Sequence, residues 1–277
     1  MKNSPGSAKT SAIEFFGFKR HPFIDHPDTG TILSEHEEQI MEISTELIKL
    51  GKSFALTGPS GTGKTTFVRK LQQQLDRQSY HPVFISYSGL NRAGLLKTIA
   101  AECRLDLGKR TVPPLVRIQK HLLEIARDKN PRFPVLIIDD AQLLEQDSVM
   151  DVCSLLADPD QKRAAASLIL IGDETLEERI QLNVMTPVRN RMACILSTRP
   201  LDADEVSNFM GKHLESAQAP KDLFSAEALN MLAAKTRGNR RELLNAATVL
   251  LVEAMTRKER TIGPQQILAS NLWKKSG

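Results

Sequence analysis

The stretch Gly58-Pro59-Ser60-Gly61-Thr62-Gly63-Lys64-Thr65-Thr66 fits the spacing G-x-x-x-x-G-K-[ST] at every defined position. Residues of these types in this order can grip a polyphosphate. Glycines let successive backbone N–H groups turn inward on phosphate oxygens, and the start of a following helix adds a favourable dipole. Lys64 would reach the β- and γ-phosphates, and the Thr65 hydroxyl would ligate magnesium. An ATP–Mg2+ site over Gly58–Thr66 is therefore expected; the plainer alternative is a glycine turn between a strand and a helix.

A second group of acids belongs to the same chemistry. The apolar run Val135-Leu136-Ile137-Ile138 ends in Asp139-Asp140. Such a strand would bring Asp139 next to the metal and make Asp140 the candidate to orient or deprotonate an attacking water. Two solvated acids capping a strand is the simpler reading. Another run, Leu168–Gly172, ends at Asp173, followed by Thr175; either could polarise the water or sense the γ-phosphate. Arg189 and Arg191 precede the last apolar run. As arginine fingers they could reach the nucleotide of a neighbouring subunit, an effect on the order of a thousandfold in rate; otherwise they are solvated surface residues. In Gly238-Asn239-Arg240-Arg241-Glu242-Leu243, Arg241 stands at a helix start. From there it could fold over the phosphates in cis or face solvent.

These groups need a scaffold that fixes them. Five short apolar runs read as buried strands: Ser53–Thr57, Val83–Tyr87, Val135–Asp139, Leu168–Gly172 and Cys194–Leu196. They alternate with helical stretches, which predicts an α/β fold: a parallel five-stranded sheet with helices on both faces. One helix starts after Ser34, with Ile40, Ile43, Leu47 and Leu50 at helical spacing, and the phosphate loop runs into another carrying Phe67, Val68, Leu71 and Leu75. From about Pro200 only helices are expected, at Ala226–Thr236, Arg240–Arg257 and Pro264–Lys274. The division is thus a flexible tail over 1–12, an α/β core over 13–199 and a helical domain over 200–277. Phe15-Phe16-Gly17-Phe18 and Pro22-Phe23 make an aromatic cluster that must pack on something.

Composition excludes several classes. Among 277 residues, 41% are hydrophobic and 25% charged, ordinary for a soluble globular protein. No run approaches the roughly 20 apolar residues of a membrane helix, and Met1–Thr10 lacks the apolar block of a secretory signal. A cytoplasmic location without membrane contact is expected. Cys103, Cys153 and Cys194 form no C-x-x-C pair and are expected in packing roles. A net charge of +4 permits contact with nucleic acid without establishing it.

The order of Gly58–Thr66, Ile138-Asp139-Asp140, Arg191-Met192 and Gly238-x-x-Arg241 resembles that of AAA+ ATPases. The N-terminal Phe15-Phe16-Gly17-Phe18…Pro22-Phe23 is similar to the opening of the ExeA-like group, which includes secretion-pathway ATPases and the transposition ATPases TniB, TnsC and Mu B. The resemblance spans residues 14–255. It implies a P-loop NTPase core with a helical AAA+ lid, Pro22 and Phe23 near the adenine, and ATP sites shared between subunits. By position, Asp139 would be the magnesium-linked acid, Arg241 the lid sensor and Arg191 the better finger. One departure stands out: ExeA-like proteins usually carry Asp-Glu where this chain has Asp139-Asp140. The shorter acid resembles the Asp-Asp of DnaA, DnaC and IstB, and implies slower hydrolysis.

Three functions follow as expectations. The first is an ATP-regulated homo-oligomeric ring or filament on double-stranded DNA that assists transposition, with a transposase or target-selection protein as partner. Gly89-Leu90-Asn91-Arg92 and Lys97 would be its first candidate DNA contacts, unless they form an ordinary solvated helix start. The second is a secretion or pilus-assembly ATPase of the ExeA type; such proteins usually continue into a membrane span and a cell-wall-binding domain, and these residues carry neither. The third is a slow-hydrolysing nucleotide-switch scaffold.

Overall fold

Strands made of Val, Ile, Leu and Phe on both faces must be covered on both sides, and that requirement organises the larger part of this chain. In a computed structural model, residues 11–24, 32–86, 89–108, 111–158 and 164–273 are described. Strands β1 (Ser53–Thr57), β2 (Tyr80–Ser86), β3 (Phe133–Asp139), β4 (Ser167–Ile171) and β5 (Met192–Ser197) form one sheet in the order β2-β3-β4-β1-β5. Every pairing is parallel. β1 and β4 are buried along their whole length, whereas the edge strands β2 and β5 are partly exposed.

The register decides where the chemistry collects. Ser86 lies opposite Asp139, Ile138 opposite Leu170, Leu56 opposite Ile171 and Thr57 opposite Ser197. The carboxyl ends of all five strands therefore share one edge, and the residues just after β1, β3 and β4 are delivered together there. β2 begins three residues before the expected Val83, because Pro82 is tolerated on an edge strand whose outer N–H groups have no ladder to complete. Tyr87 lies outside the described residues.

By compactness the chain forms two units, Glu35–Arg199 and Met1–Ser34 with Pro200–Gly277. The N-terminal segment that the sequence groups with the α/β core thus clusters with the C-terminal helices. The cause is aromatic: Phe16, Phe18 and Phe23 bury in the same core as Phe209, Leu223, Phe224 and Leu251. Ser11 and Ala12, expected in a flexible tail, open a short helix through a capping box with Glu14; residues 1–10 lie outside the described residues.

Two helical expectations change. The helix Glu35–Lys49 buries Glu37, Ile40, Met41, Ser44 and Ile48, while Ile43 and Leu50 are exposed. Its covered stripe is rotated from the one the apolar residues alone indicate, since it includes a carboxylate and a serine. The helix Ala203–Ser216, capped by Asp202 and Glu205, adds to the expected elements, whereas Ala226–Thr236 and Arg240–Arg257 keep the expected bounds. The last helix stops at Ala269 and continues as a tight turn over Asn271–Trp273; Lys274 lies outside the described residues. Burial pushes the Cys103 and Cys153 thiols up to about 11, which fits packing roles, while Cys194 is half-buried. No helix among the described residues is long and apolar enough to cross a membrane.

Candidate phosphate and metal site

The loop after β1 takes a path that only glycine makes easy. Gly58, Gly61 and Gly63 have φ of 141°, 84° and 98°. A Cβ on Gly58 would collide with the carbonyl and hydroxyl oxygens of Thr198. Thr198 follows β5, and its N–H donates to the Thr57 carbonyl at 2.8 Å. Its hydroxyl lies 2.8 Å from the Thr62 hydroxyl, which itself donates to the Pro59 carbonyl at 2.8 Å. Thr198 thus clamps both ends of the loop. Nothing in the local sequence marks it, because its role exists only through contacts across β1 and β5.

Gly63 opens the helix Lys64–Gln74, anchored by the fully buried Phe67, Val68 and Leu71. The helix start holds Lys64 over the loop, where Nζ donates to the carbonyls of Gly58 (2.6 Å) and Pro59 (2.9 Å). Burial lowers the Lys64 pKa, and the carboxylates of Asp173, Asp139, Glu174 and Asp140 act in the opposite direction. The lysine is therefore surrounded by acids from the ends of β3 and β4.

The Thr65 hydroxyl donates to Asp139 Oδ2 at 2.9 Å, and the Asp140 N–H donates to Asp139 Oδ1 at 3.0 Å. Asp139 is only 6% exposed. A hydroxyl and a carboxylate converging beside a phosphate loop form a hard-oxygen donor set, which suits magnesium held by one or two protein groups, phosphates and waters. The residues present fit that ion.

Asp140 follows with φ of 54°. A left-handed aspartate is strained by on the order of 1 kcal/mol, and the twist turns its side chain out of the strand into solvent. Its Oδ1 accepts from Gln142 Nε2 across 3.4 Å, a bond at the long and weak end of the range. Gln142, unnoticed in the sequence, packs against Gly172, where a Cβ would stand 2.6 Å from Gln142 Oε1. Asp173 caps the helix Glu174–Gln181 and accepts from the Thr175 N–H (3.0 Å) and hydroxyl (2.5 Å).

Lys64, Thr65, Asp139, Asp140 and Asp173 are thus brought together, and Arg189 and Arg191 are not. Arg189 donates to the Gln181 carbonyl at 2.8 Å and Arg191 to the Pro187 carbonyl at 3.0 Å. Met192 pairs with Ser53 at the start of β1, whereas the loop leaves its end. Strand rise separates the two edges by roughly 16 Å.

The remaining candidates belong to the helical unit. Phe23 is buried against Phe224, with centroids 5.9 Å apart, and the Pro22 carbonyl lies 2.9 Å from His213 Nδ1. Arg241 is exposed in the first turn of its helix. Its neighbour Arg240 is buried, with its guanidinium 5.0 Å from the centre of the Phe209 ring. Gly238 precedes that helix at φ of 70°, its Cα so near the Leu201 carbonyl that a Cβ would collide.

The candidate DNA contacts look different in three dimensions. Asn91 caps its helix by accepting from the Gly94 N–H at 2.8 Å. Arg92 makes a two-point ion pair with Asp151 at 2.5 and 2.7 Å, so its fork is already engaged within the chain. Lys97 stays exposed.

Comparison with known proteins agrees with this architecture. A family model described as an AAA domain matches residues 48–180. General secretion pathway protein A of Aeromonas hydrophila is 29% identical over 228 residues, covering 79% of this chain and 40% of that protein. The chain therefore spans less than half the length of that curated relative. The crystal structure of CDC6P from Pyrobaculum aerophilum superposes with a TM-score of 0.68 at 19% identity, covering 88% of this chain and 68% of that one. The Aeropyrum pernix ORC1 protein, solved in complex with DNA, gives 0.65 at 16% identity, covering 90% and 67%. The fold is that of AAA+ P-loop NTPases, a five-stranded parallel sheet with a helical C-terminal region.

Proposed function

We propose that this chain binds ATP with magnesium, hydrolyses it, and works as a nucleotide-controlled oligomer. The observation that carries the reading is the convergence of Lys64, Thr65 and Asp139 on one loop, with the Thr65 hydroxyl 2.9 Å from Asp139. The loop amides between Ser60 and Thr65 would enclose the terminal phosphates, and Lys64 would leave the Gly58 and Pro59 carbonyls for β- and γ-oxygens. Thr65 and Asp139 would hold magnesium, which, once bound, neutralises charge developing on the phosphates. Asp140 is the general base: exposed and loosely tied, it can accept a proton from water in line with the γ-phosphate. Having a shorter side chain than glutamate, it acts through a longer bond, and turnover is slow. Asp173 holds its helix cap beside Lys64 and tunes the lysine's field. Pro22 and Phe23 near the base, and Arg241 over the phosphates, complete the reading as the resemblance implies.

Arg191 stands at the sheet edge opposite its own loop, so its route to a phosphate is through a second copy, with Arg189 as the less favoured finger. Arg191→Ala should lower turnover by about a thousandfold. Turnover should return when it is mixed with Lys64→Ala subunits, which supply an intact finger. Absence of rescue in mixed oligomers would exclude action in trans.

The finer role we favour is assembly on double-stranded DNA in the cytoplasm to assist transposition, through a transposase or target-selection protein. A basic net charge of +4 and an ORC1 likeness solved with DNA support DNA as the partner; exposed Lys97 remains a candidate contact. A second reading, a secretion-pathway ATPase, is favoured by the Aeromonas relative. Electron microscopy with duplex DNA and a non-hydrolysable ATP analogue tests between them. Rings or filaments on DNA, lost steeply as salt rises, are expected; protein that ignores DNA at every salt concentration would leave the secretion reading.

A further inference from the structure

A cavity of about 960 Å³ opens at the amino-terminal edge of the sheet, and Lys49, Lys52, Tyr80, Arg127, Phe133 and Arg191 contribute to its lining. Its size suits a nucleotide-sized ligand. It is the edge away from the phosphate loop, because Ser53, Tyr80, Phe133 and Met192 begin their strands there. Two of its cations already face acids: Lys49 lies 2.6 Å from Glu46 and Arg127 2.5 Å from Asp158. Asp158 is also the one carboxylate among the described lining residues. Lys52 and Arg191 have no carboxylate partner among the described residues.

The pairing of Ser53 with Met192 sets Lys52 and Arg191 side by side at the starts of adjacent strands, whose backbones run about 4.8 Å apart. Both residues are exposed and line the same concavity, so a multivalent anion entering it would be drawn by two cations at once. Tyr80 and Phe133, paired in register on β2 and β3, add an aromatic wall.

We propose that this cavity is a second polyphosphate-binding site in which Lys52 and Arg191 act together. Its ligand is the triphosphate end of a nucleotide, either free in solution or held by the phosphate loop of a second copy of this chain. The second source rests on the trans reading of Arg191 and adds Lys52 to it.

Two measurements separate the sources. Tripolyphosphate titrated by calorimetry into Lys64→Ala protein, whose phosphate loop is disabled, should bind saturably, and adding Lys52→Ala should weaken binding at least tenfold. In the full chain, Lys52→Ala should lower kcat at least tenfold with KM for ATP within twofold, while Lys52→Arg retains activity. Mixing Lys52→Ala with Lys64→Ala subunits should restore turnover, which a merely structural role for Lys52 would not do. Saturable tripolyphosphate binding identifies a free ligand, and rescue identifies the neighbour's. Should Arg191→Ala resist rescue while Lys52 still governs tripolyphosphate binding, the trans reading falls and the site stands. Equal binding with and without Lys52, together with unchanged kcat, overturns the proposal.

Discussion

With Lys52→Ala silencing the second anion site, Lys64→Ala protein should show no measurable heat when titrated with ATP and magnesium. The ammonium would make charge-assisted bonds to phosphate oxygens, each worth about 1.5–3 kcal/mol, in a half-buried position where water competes poorly. The same side chain braces the loop by donating to the Gly58 and Pro59 carbonyls, so its loss removes both a phosphate contact and the shape of the cradle. Together these amount to at least a hundredfold, by about 1.4 kcal/mol per factor of ten. A site of micromolar affinity would drop out of calorimetric range. Micromolar binding that survives the substitution would refute the assignment of Gly58–Thr66.

The second large effect separates binding from chemistry. Asp140→Asn should bind ATP as tightly as the parent and turn it over about 10²–10⁴-fold more slowly, the range expected when a general base is removed. Filter binding and single-turnover release of labelled phosphate read the two quantities independently. Asp140 is singled out by its environment, since Asp139 is buried against Thr65 and Asp173 accepts two bonds from Thr175. If turnover is unchanged, the base lies elsewhere in the site.

The tight path of the glycine loop and the place of Asp139 beside it were legible because their pattern is contiguous in sequence. A glycine pattern and an apolar run ending in acids need no knowledge of the fold. Thr198 and Gln142 were not legible, since each acts through residues brought near by parallel pairing. Arg92 shows the same limit: its partner Asp151 is 59 positions away, and without it the arginine reads as free to meet DNA. The helix Glu35–Lys49 was found but turned, because Ile43 and Leu50 advertise a stripe that the buried Glu37 and Ser44 displace. The aromatic segment was recognised as needing a surface, yet only its packing with Phe209 and Phe224 reveals that the surface is helical.

A sheet whose strands all run one way has two chemically unlike rims. Here one rim presents glycine turns and acids, and the other presents Lys52 and Arg191. Copies that meet by joining unlike rims cannot form a twofold pair, because each contact leaves one spare face of either kind. Such a chain of contacts ends only if its curvature brings the last copy round to the first; otherwise it lengthens for as long as material is supplied.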